Sequence, residues 1–210
     1  MPGVIGPDRV RVVVQPALTV PGVDGVEVLF IHEWTGLTRF ASSAIHQSTW
    51  QEDTGIRVRV VKGGRIGVAA SNDFSEEGAR RAAESAREMA EVVAPDPLFP
   101  GLAPPQPVPE SDHFDEATAS TTPDRRAEGV ATLIAQCGRG LMASGAFETA
   151  ASEVGLLNTE GQFCWAPSTQ ASVTTVVTAD EGGSGFAETF ASTLAEVDPE
   201  AVGRRAATKA

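Results

Sequence analysis

Lysine is nearly missing from this sequence: Lys62 and Lys209 are the only two. Basic residues number 16 against 28 acids, for a formal net charge of -12 and a pI near 4.6. The arginines are interleaved with acids, as in Arg80-Arg81, Arg87 and Arg125-Arg126, so no basic patch forms. Phosphate backbones are held by Lys and Arg, and this balance argues against a general nucleic-acid binder. A surplus of acid serves solubility instead. Long apolar runs are missing as well, and none approaches the ~20 residues that cross a bilayer. The opening Met1-Pro2-Gly3-Val4-Ile5-Gly6-Pro7 has no basic stretch followed by an apolar core, so no secretory signal is expected.

Cysteine is scarce. Cys137 and Cys164 are the two present, with no C-x-x-C pair; Cys137 falls on the apolar face of an expected helix and Cys164 in an apolar strand beside Phe163 and Trp165. Free, buried thiols and a reducing, cytoplasmic compartment are the expectation. Histidine is scarce too: His32, His46 and His113. A zinc peptidase needs at least two histidines and a carboxylate on the ion, plus a glutamate to activate water. His32-Glu33 begins like H-E-x-x-H, but residue 36 is glycine. The pair also sits on an expected strand, where neighbouring side chains point to opposite faces. The sequence therefore offers no catalytic, cofactor-binding or metal-binding residue. Gly182-Gly183-Ser184-Gly185-Phe186 only superficially resembles a nucleophile elbow, since its last position is Phe, and it lacks the Lys-Ser/Thr of a phosphate loop. A turn is the expectation there. Pairing of Cys164 with His32 or His46 has no sequence support. The paired acids Glu52-Asp53, Glu76-Glu77 and Asp180-Glu181 fall at turns or a helix start, where solvation or the helix dipole accounts for them.

What is present organises into an α+β fold of two units, each mostly antiparallel sheet with a packed helix, joined by a Pro-rich linker. Residues 1–22 carry Pro2, Pro7, Pro16 and Pro21 around one strand-like stretch, 10–15. The first unit, 23–94, opens with an almost continuously apolar strand at 26–32, followed by shorter strands at 37–41 and 44–52. Ile56-Arg57-Val58-Arg59-Val60 alternates with period two, and Gly63-Gly64 turns it into a second run at 66–70, which reads as a hairpin. Asp73 or Ser75 starts a helix on which Ala79, Ala82, Ala83, Ala86, Met89, Ala90 and Val93 form one apolar stripe, whose small alanines suit close packing on a sheet, and Pro95 ends it.

Residues 95–122 form the linker, with seven prolines from Pro95 to Pro109 and acids at Glu110, Asp112, Asp115 and Glu116. The second unit, 123–197, starts with a helix capped by Thr122 with Pro123 at its first position. Strands follow at 147–154, 162–166, 170–179 and 186–193, with Asn158-Thr159-Glu160-Gly161 as the first turn. Asp198-Pro199-Glu200 opens a further helix over 198–210, read as leading toward a C-terminal domain outside the chain.

The run Asp53-Thr54-Gly55-Ile56-Arg57-Val58-Arg59-Val60, then Gly64-Arg65-Ile66-Gly67-Val68-Ala69-Ala70-Ser71, then Ser75-Glu76-Glu77 and the alanine stripe, resembles the TldD/PmbA N-terminal domain. The Pro-rich span, Asn158-Thr159-Glu160-Gly161 and Asp198-Pro199-Glu200-Ala201-Val202-Gly203 extend the resemblance over most of the chain from about residue 23. Members of that family, once described as modulators of DNA gyrase, are cytoplasmic zinc metallopeptidases acting on peptides or unfolded proteins. They pair as two related subunits, and the zinc site, H-E-x-x-x-H, lies in the C-terminal part. The resemblance thus implies an N-terminal portion that contributes to subunit pairing and the substrate chamber, with zinc held elsewhere and no nucleic acid or membrane partner. The alternative is a stand-alone, non-catalytic partner or regulator of a full-length relative. The opening residues depart from the family, many of whose members begin with an amphipathic helix.

Overall fold

The computed structural model describes residues 3–109 and 112–210. Glu110 of the acidic linker half and Pro2 of the opening segment lie outside the described residues. The elements are α1 (Pro7–Leu18), β1 (Gly25–Ala41), β2 (Ala44–Lys62), β3 (Arg65–Ser71), α2 (Glu76–Val92), α3 (Glu116–Ala119) and α4 (Pro123–Ile134). Next come β4 (Leu141–Asn158), β5 (Phe163–Ala179), β6 (Ser184–Ala191), a 3-10 turn at Leu194–Glu196 and α5 (Pro199–Lys209). The fold is α+β, with antiparallel strands and helices in two units, as the sequence indicates. The units share one six-stranded sheet, ordered β3-β2-β1-β4-β5-β6. They meet where β1 pairs with β4, from Glu27↔Asn158 to Phe40↔Gly145.

The strands are longer than their expected pieces. Residues 26–32 and 37–41 fuse into β1, which passes through Gly36 without a break. Residues 44–52 and 56–60 fuse into β2, and 162–166 with 170–179 become β5, which carries Pro167 within it. Gly63 and Gly64, both at positive φ, make the expected β2–β3 turn.

The opening segment differs from its reading as a strand-like stretch among prolines. It is a helix, so the chain does begin with an amphipathic helix before its first strand. Pro7 occupies the first turn, where its missing N–H costs nothing. Val10, Val13, Val14 and Ala17 are buried at helical spacing. Pro16 sits inside α1, where it removes a hydrogen bond to the carbonyl of Val12, a residue exposed enough for water to replace it. Val-rich composition favours a strand, but the packing of this face against the sheet and α2 decides otherwise.

Ser75 caps α2, its side chain accepting from the Gly78 N–H at 3.0 Å. The alanines of the expected stripe let α2 approach β3 so closely that a Cβ on Gly67 would run into the Ala86 carbonyl oxygen, whereas Met89 and Val93 of that stripe are exposed. Thr122 and Asp198 cap α4 and α5 as expected, accepting from Arg125 N and Ala201 N. The linker contains the short helix α3, and its first half docks onto the end of the sheet. Ala103 O accepts from Asn158 Nδ2 at 2.8 Å, and Leu102 lies against Gly25. No helix among the described residues is long and apolar enough to cross a membrane.

All helices pack on one face of the sheet, whose covered side carries two hydrophobic clusters. One joins Val26, Val28 and Phe30 to Ile56, Val58, α1 and α2; the other joins Phe40 and Phe147 to Val173, α4 and α5. The opposite face has no element packed on it among the described residues.

Candidate functional site

Period-two alternation along β1 sends His32, Trp34 and Thr38 toward the covered face and Glu33 and Thr35 toward the open one. His32 is buried between two carboxylates: Nδ1 lies 3.0 Å from Glu153 Oε1, and Nε2 lies 3.2 Å from Glu52 Oε1. Glu153 is fully buried and accepts three further bonds, from Ile5 N at 2.6 Å, Gly6 N at 2.8 Å and Trp165 Nε1 at 3.2 Å. Four donors on two oxygens leave this carboxylate as a pure acceptor. Its position at the start of α1 also satisfies helix-entry amides that would otherwise be orphaned. The His32 ring lies against Trp34 in a tilted arrangement, with centroids 4.8 Å apart and 38° between the planes.

A second buried ion lies along the same belt. Arg126 of α4 is fully buried and lies over Gly36, where any Cβ would strike its guanidinium. It donates from Nη1 to Thr121 O at 3.1 Å and Thr149 Oγ1 at 3.0 Å, and from Nε to Thr38 Oγ1 at 3.4 Å. No carboxylate faces it among the described residues. Burial holds its pKa below the ordinary guanidinium value, while the charge remains.

Zinc needs free imidazole nitrogens aimed at one point, and these residues do not fit it. The three histidines do not converge. His46 is exposed near the far end of the β1–β2 arm, and His113 is an exposed ring within the linker, 3.8 Å from Asp112. Both nitrogens of His32 are already engaged, on opposite sides of the ring. Among the described residues no group of three His, Cys, Asp or Glu is placed to hold a metal ion. Cys164 lies opposite Leu156, on the face away from His32, and takes a bond from Gln162 Nε2 at 2.9 Å. Cys137 lies just beyond α4, half-buried against the second cluster, and burial pushes its thiol pKa up. Gly182 makes the expected turn with φ 95°, while Gly183 and Gly185 let the C-terminal end of α5 lie on β6. That packing role was not visible in the glycine pattern.

The open face of the sheet carries several hollows. A trough of about 620 Å³ runs over Leu29, Ile31, Glu33, Asp53, Arg57 and Asn72. A hollow of about 320 Å³ adjoins it at Glu27, Leu29, Arg59, Val68 and Leu156. Another, of about 230 Å³, lies over Glu33, Thr35, Ala150, Ser152, Ser168 and Gln170. Apolar side chains alternate there with charges, including the Arg59–Glu27 pair at 2.9 Å. Such a surface can bind polypeptide. Sequence reasoning found the strands but not this exposure, because alternation tells which residues share a face and not which face is covered.

The profile for PmbA/TldA metallopeptidase domain 1 matches residues 26–90, and that for the PmbA/TldA metallopeptidase central domain matches residues 112–210. No curated protein matches the chain. Among solved structures, the fold is similar to TldE from Thermococcus kodakarensis, with TM-score 0.82 and 19% identity over 89% of this chain and 44% of that one. It is similar to a candidate DNA gyrase modulator from Thermotoga maritima, with TM-score 0.80 and 16% identity over 96% and 46% of the respective chains. A candidate gyrase modulator from Bacteroides thetaiotaomicron gives TM-score 0.78 and 16% identity over 97% and 49%. The chain spans just under half the length of these structures.

Proposed function

The chain belongs to the PmbA/TldD metallopeptidase family, and from that premise we propose that it is the N-terminal portion of such a peptidase subunit, active in proteolysis of peptides or unfolded proteins in the cytoplasm. In this reading it contributes to pairing with a second PmbA/TldD-type subunit and to the walls of the substrate chamber. Zinc is held by residues outside the chain, since the histidines within it are spent on the His32–Glu153 network or stand apart. The observation that carries the reading is the presence of two of the family's domains, in order, along one polypeptide. The open sheet face, with apolar and charged side chains interleaved, supports a role in contacting other polypeptide.

Bound metal and peptide hydrolysis, measured on the purified chain alone and with a full-length relative added, test the proposal. The expected result is no stoichiometric zinc and no hydrolysis by the chain alone. Stoichiometric zinc together with hydrolysis in the isolated chain would overturn it.

A further inference from the structure

Every strand edge exposes backbone N–H and C=O groups that can recruit another strand, and proteins blunt such edges with charges, prolines, short strands or covering elements. This sheet has four edge stretches. On β6 the carbonyls of Phe186 and Glu188 accept bonds from Lys209 Nζ at 2.8 Å and Arg205 Nη2 at 2.7 Å, so α5 seals that side. At the other end β3 is seven residues long and lies against α2. The part of β5 that extends beyond β6 carries Pro167, which has no N–H, and Thr169 N is taken by His113 O at 2.8 Å.

The fourth stretch is bare. β3 pairs with β2 only from Ile56 onward, so the preceding part of β2 has β1 on one side and no strand on the other among the described residues. A register shift at Arg39/Phe40 interrupts its far end near His46, leaving the nine residues Gln47-Ser48-Thr49-Trp50-Gln51-Glu52-Asp53-Thr54-Gly55. At ~3.3 Å per residue that edge is about 30 Å long. It has no Lys, Arg or Pro. It is also held rigidly, because the turn at its end is tied to β4: Ser43 N donates to Ala143 O at 2.8 Å and Ala143 N to Ser43 Oγ at 3.0 Å. A rigid edge loses little entropy when it is paired.

We propose that this edge of β2 pairs antiparallel with the same edge of a second copy of the chain, joining two sheets into one. The inference rests on the subunit pairing proposed above and names its surface. Charge selects the occupant. On a chain of net charge -12 most surfaces of two copies repel, but Gln47 to Gln51 is uncharged. Two-fold registers centred on Thr49, Trp50 or Gln51 place Glu52 and Asp53 opposite uncharged residues or His46 of the other copy. Those centred on Glu52 or Asp53 set like acids against each other, which is disfavoured. The strip is thus complementary to itself in a narrow set of registers, and in the one centred on Trp50 the two Trp50 side chains, each 36% exposed, face one another across the seam.

Sedimentation velocity over a protein concentration series, with amide exchange of residues 47–55, tests this. A reversible dimer is expected, with alternate amides of the strip protected as concentration rises. The double variant Thr49→Lys/Gln51→Lys opposes lysines in each favoured register and should weaken dimerisation ~10-fold or more, by about 1.4 kcal/mol, with the far-UV spectrum unchanged. Phe190→Lys, on the open face away from this edge, should leave it intact. A monomer at all concentrations overturns the proposal. So does a dimer that resists the lysines, or one broken by Phe190→Lys. Hydrolysis plays no part in the readout, so the surface and the peptidase reading can fail independently.

Discussion

Replacing Glu153 with glutamine changes one atom and should cost the fold heavily. The carboxylate receives Ile5 N and His32 Nδ1 on one oxygen and Gly6 N and Trp165 Nε1 on the other. A glutamine has one accepting oxygen, so in either orientation its NH2 faces two donors. If the NH2 turns toward His32, the ring can switch tautomer and accept, which leaves the Ile5 amide stranded. If it turns the other way, Gly6 N and the Trp165 indole both lose their acceptor. Each unsatisfied buried donor costs about 1–3 kcal/mol, so one or two stranded donors together cost roughly 1–6 kcal/mol, with ~3 as a central value. For a chain of this size that corresponds to a fall in Tm of about 6–12 °C. Thermal unfolding followed by circular dichroism reads the loss, and amide exchange over α1 should rise because its entry is anchored there. Glu52→Gln is the control: that carboxylate is 43% exposed, makes one such bond and should cost ~1 kcal/mol or less. A Glu153→Gln protein melting within about 2 °C of the wild type would refute the argument, since that is under ~1 kcal/mol.

Gly67→Ala places a Cβ into the Ala86 carbonyl and should destabilise by about 2–3 kcal/mol or more through forced separation of α2 from β3, read by urea unfolding. Arg126→Ala leaves the Thr149 hydroxyl without its partner and empties the space over Gly36, for a loss of ~2–5 kcal/mol. Arg126→Met, which fills the space without a charge, should recover much of that in the same assay. The hydrogen bond from the Lys62 ammonium holds the Glu91 carboxyl below the ordinary glutamate value of 4.5. A depressed folded pKa gives stability that is present above 4.5 and lost as pH falls through the lower folded value. Tm should therefore decline on acidification below that point, and Glu91→Gln should flatten the decline.

Where local chemistry and packing agree, the sequence was legible. The β2–β3 hairpin, the caps at Ser75, Thr122 and Asp198 and the alanine stripe of α2 each combine a spacing with a turn or cap residue. Reading failed where packing outvoted propensity. The segment Arg9-Val10-Arg11-Val12-Val13-Val14 is Val-rich and flanked by prolines, yet its helical spacing buries Val10, Val13, Val14 and Ala17 against the sheet. The long strands were cut at Gly36 and Pro167 because a glycine or proline is a local signal of a break. Pairing on both sides of β1 overrides the first, and an open edge tolerates the second.

The candidate surface was less legible than the strands for a reason that lies in the covered face. Moving along β1 from Phe30, the side chains facing the helices are His32, Trp34, then Gly36, Thr38 and Phe40; along β4 from Leu157 they are Gly155, Glu153, Ala151, Thr149 and Phe147. The clusters at the two ends are apolar and the middle is a polar belt filled by the His32–Glu153 pair, the Trp34 indole bonded to Ala119 O and the Arg126 guanidinium. A continuous sheet therefore carries two cores, and this is why the sequence reads as two units although β1 and β4 pair without interruption. Buried ions in such a belt contribute little net stability, because desolvation offsets their attraction. What they do supply is position: each must meet its hydroxyls, indole or amides, and those partners come from α1, α3, α4 and three strands. The belt thus fixes how α1 and α4 sit on the covered face, and it buries His32 and Glu153 there, while the opposite face and the edge of β2 stay open.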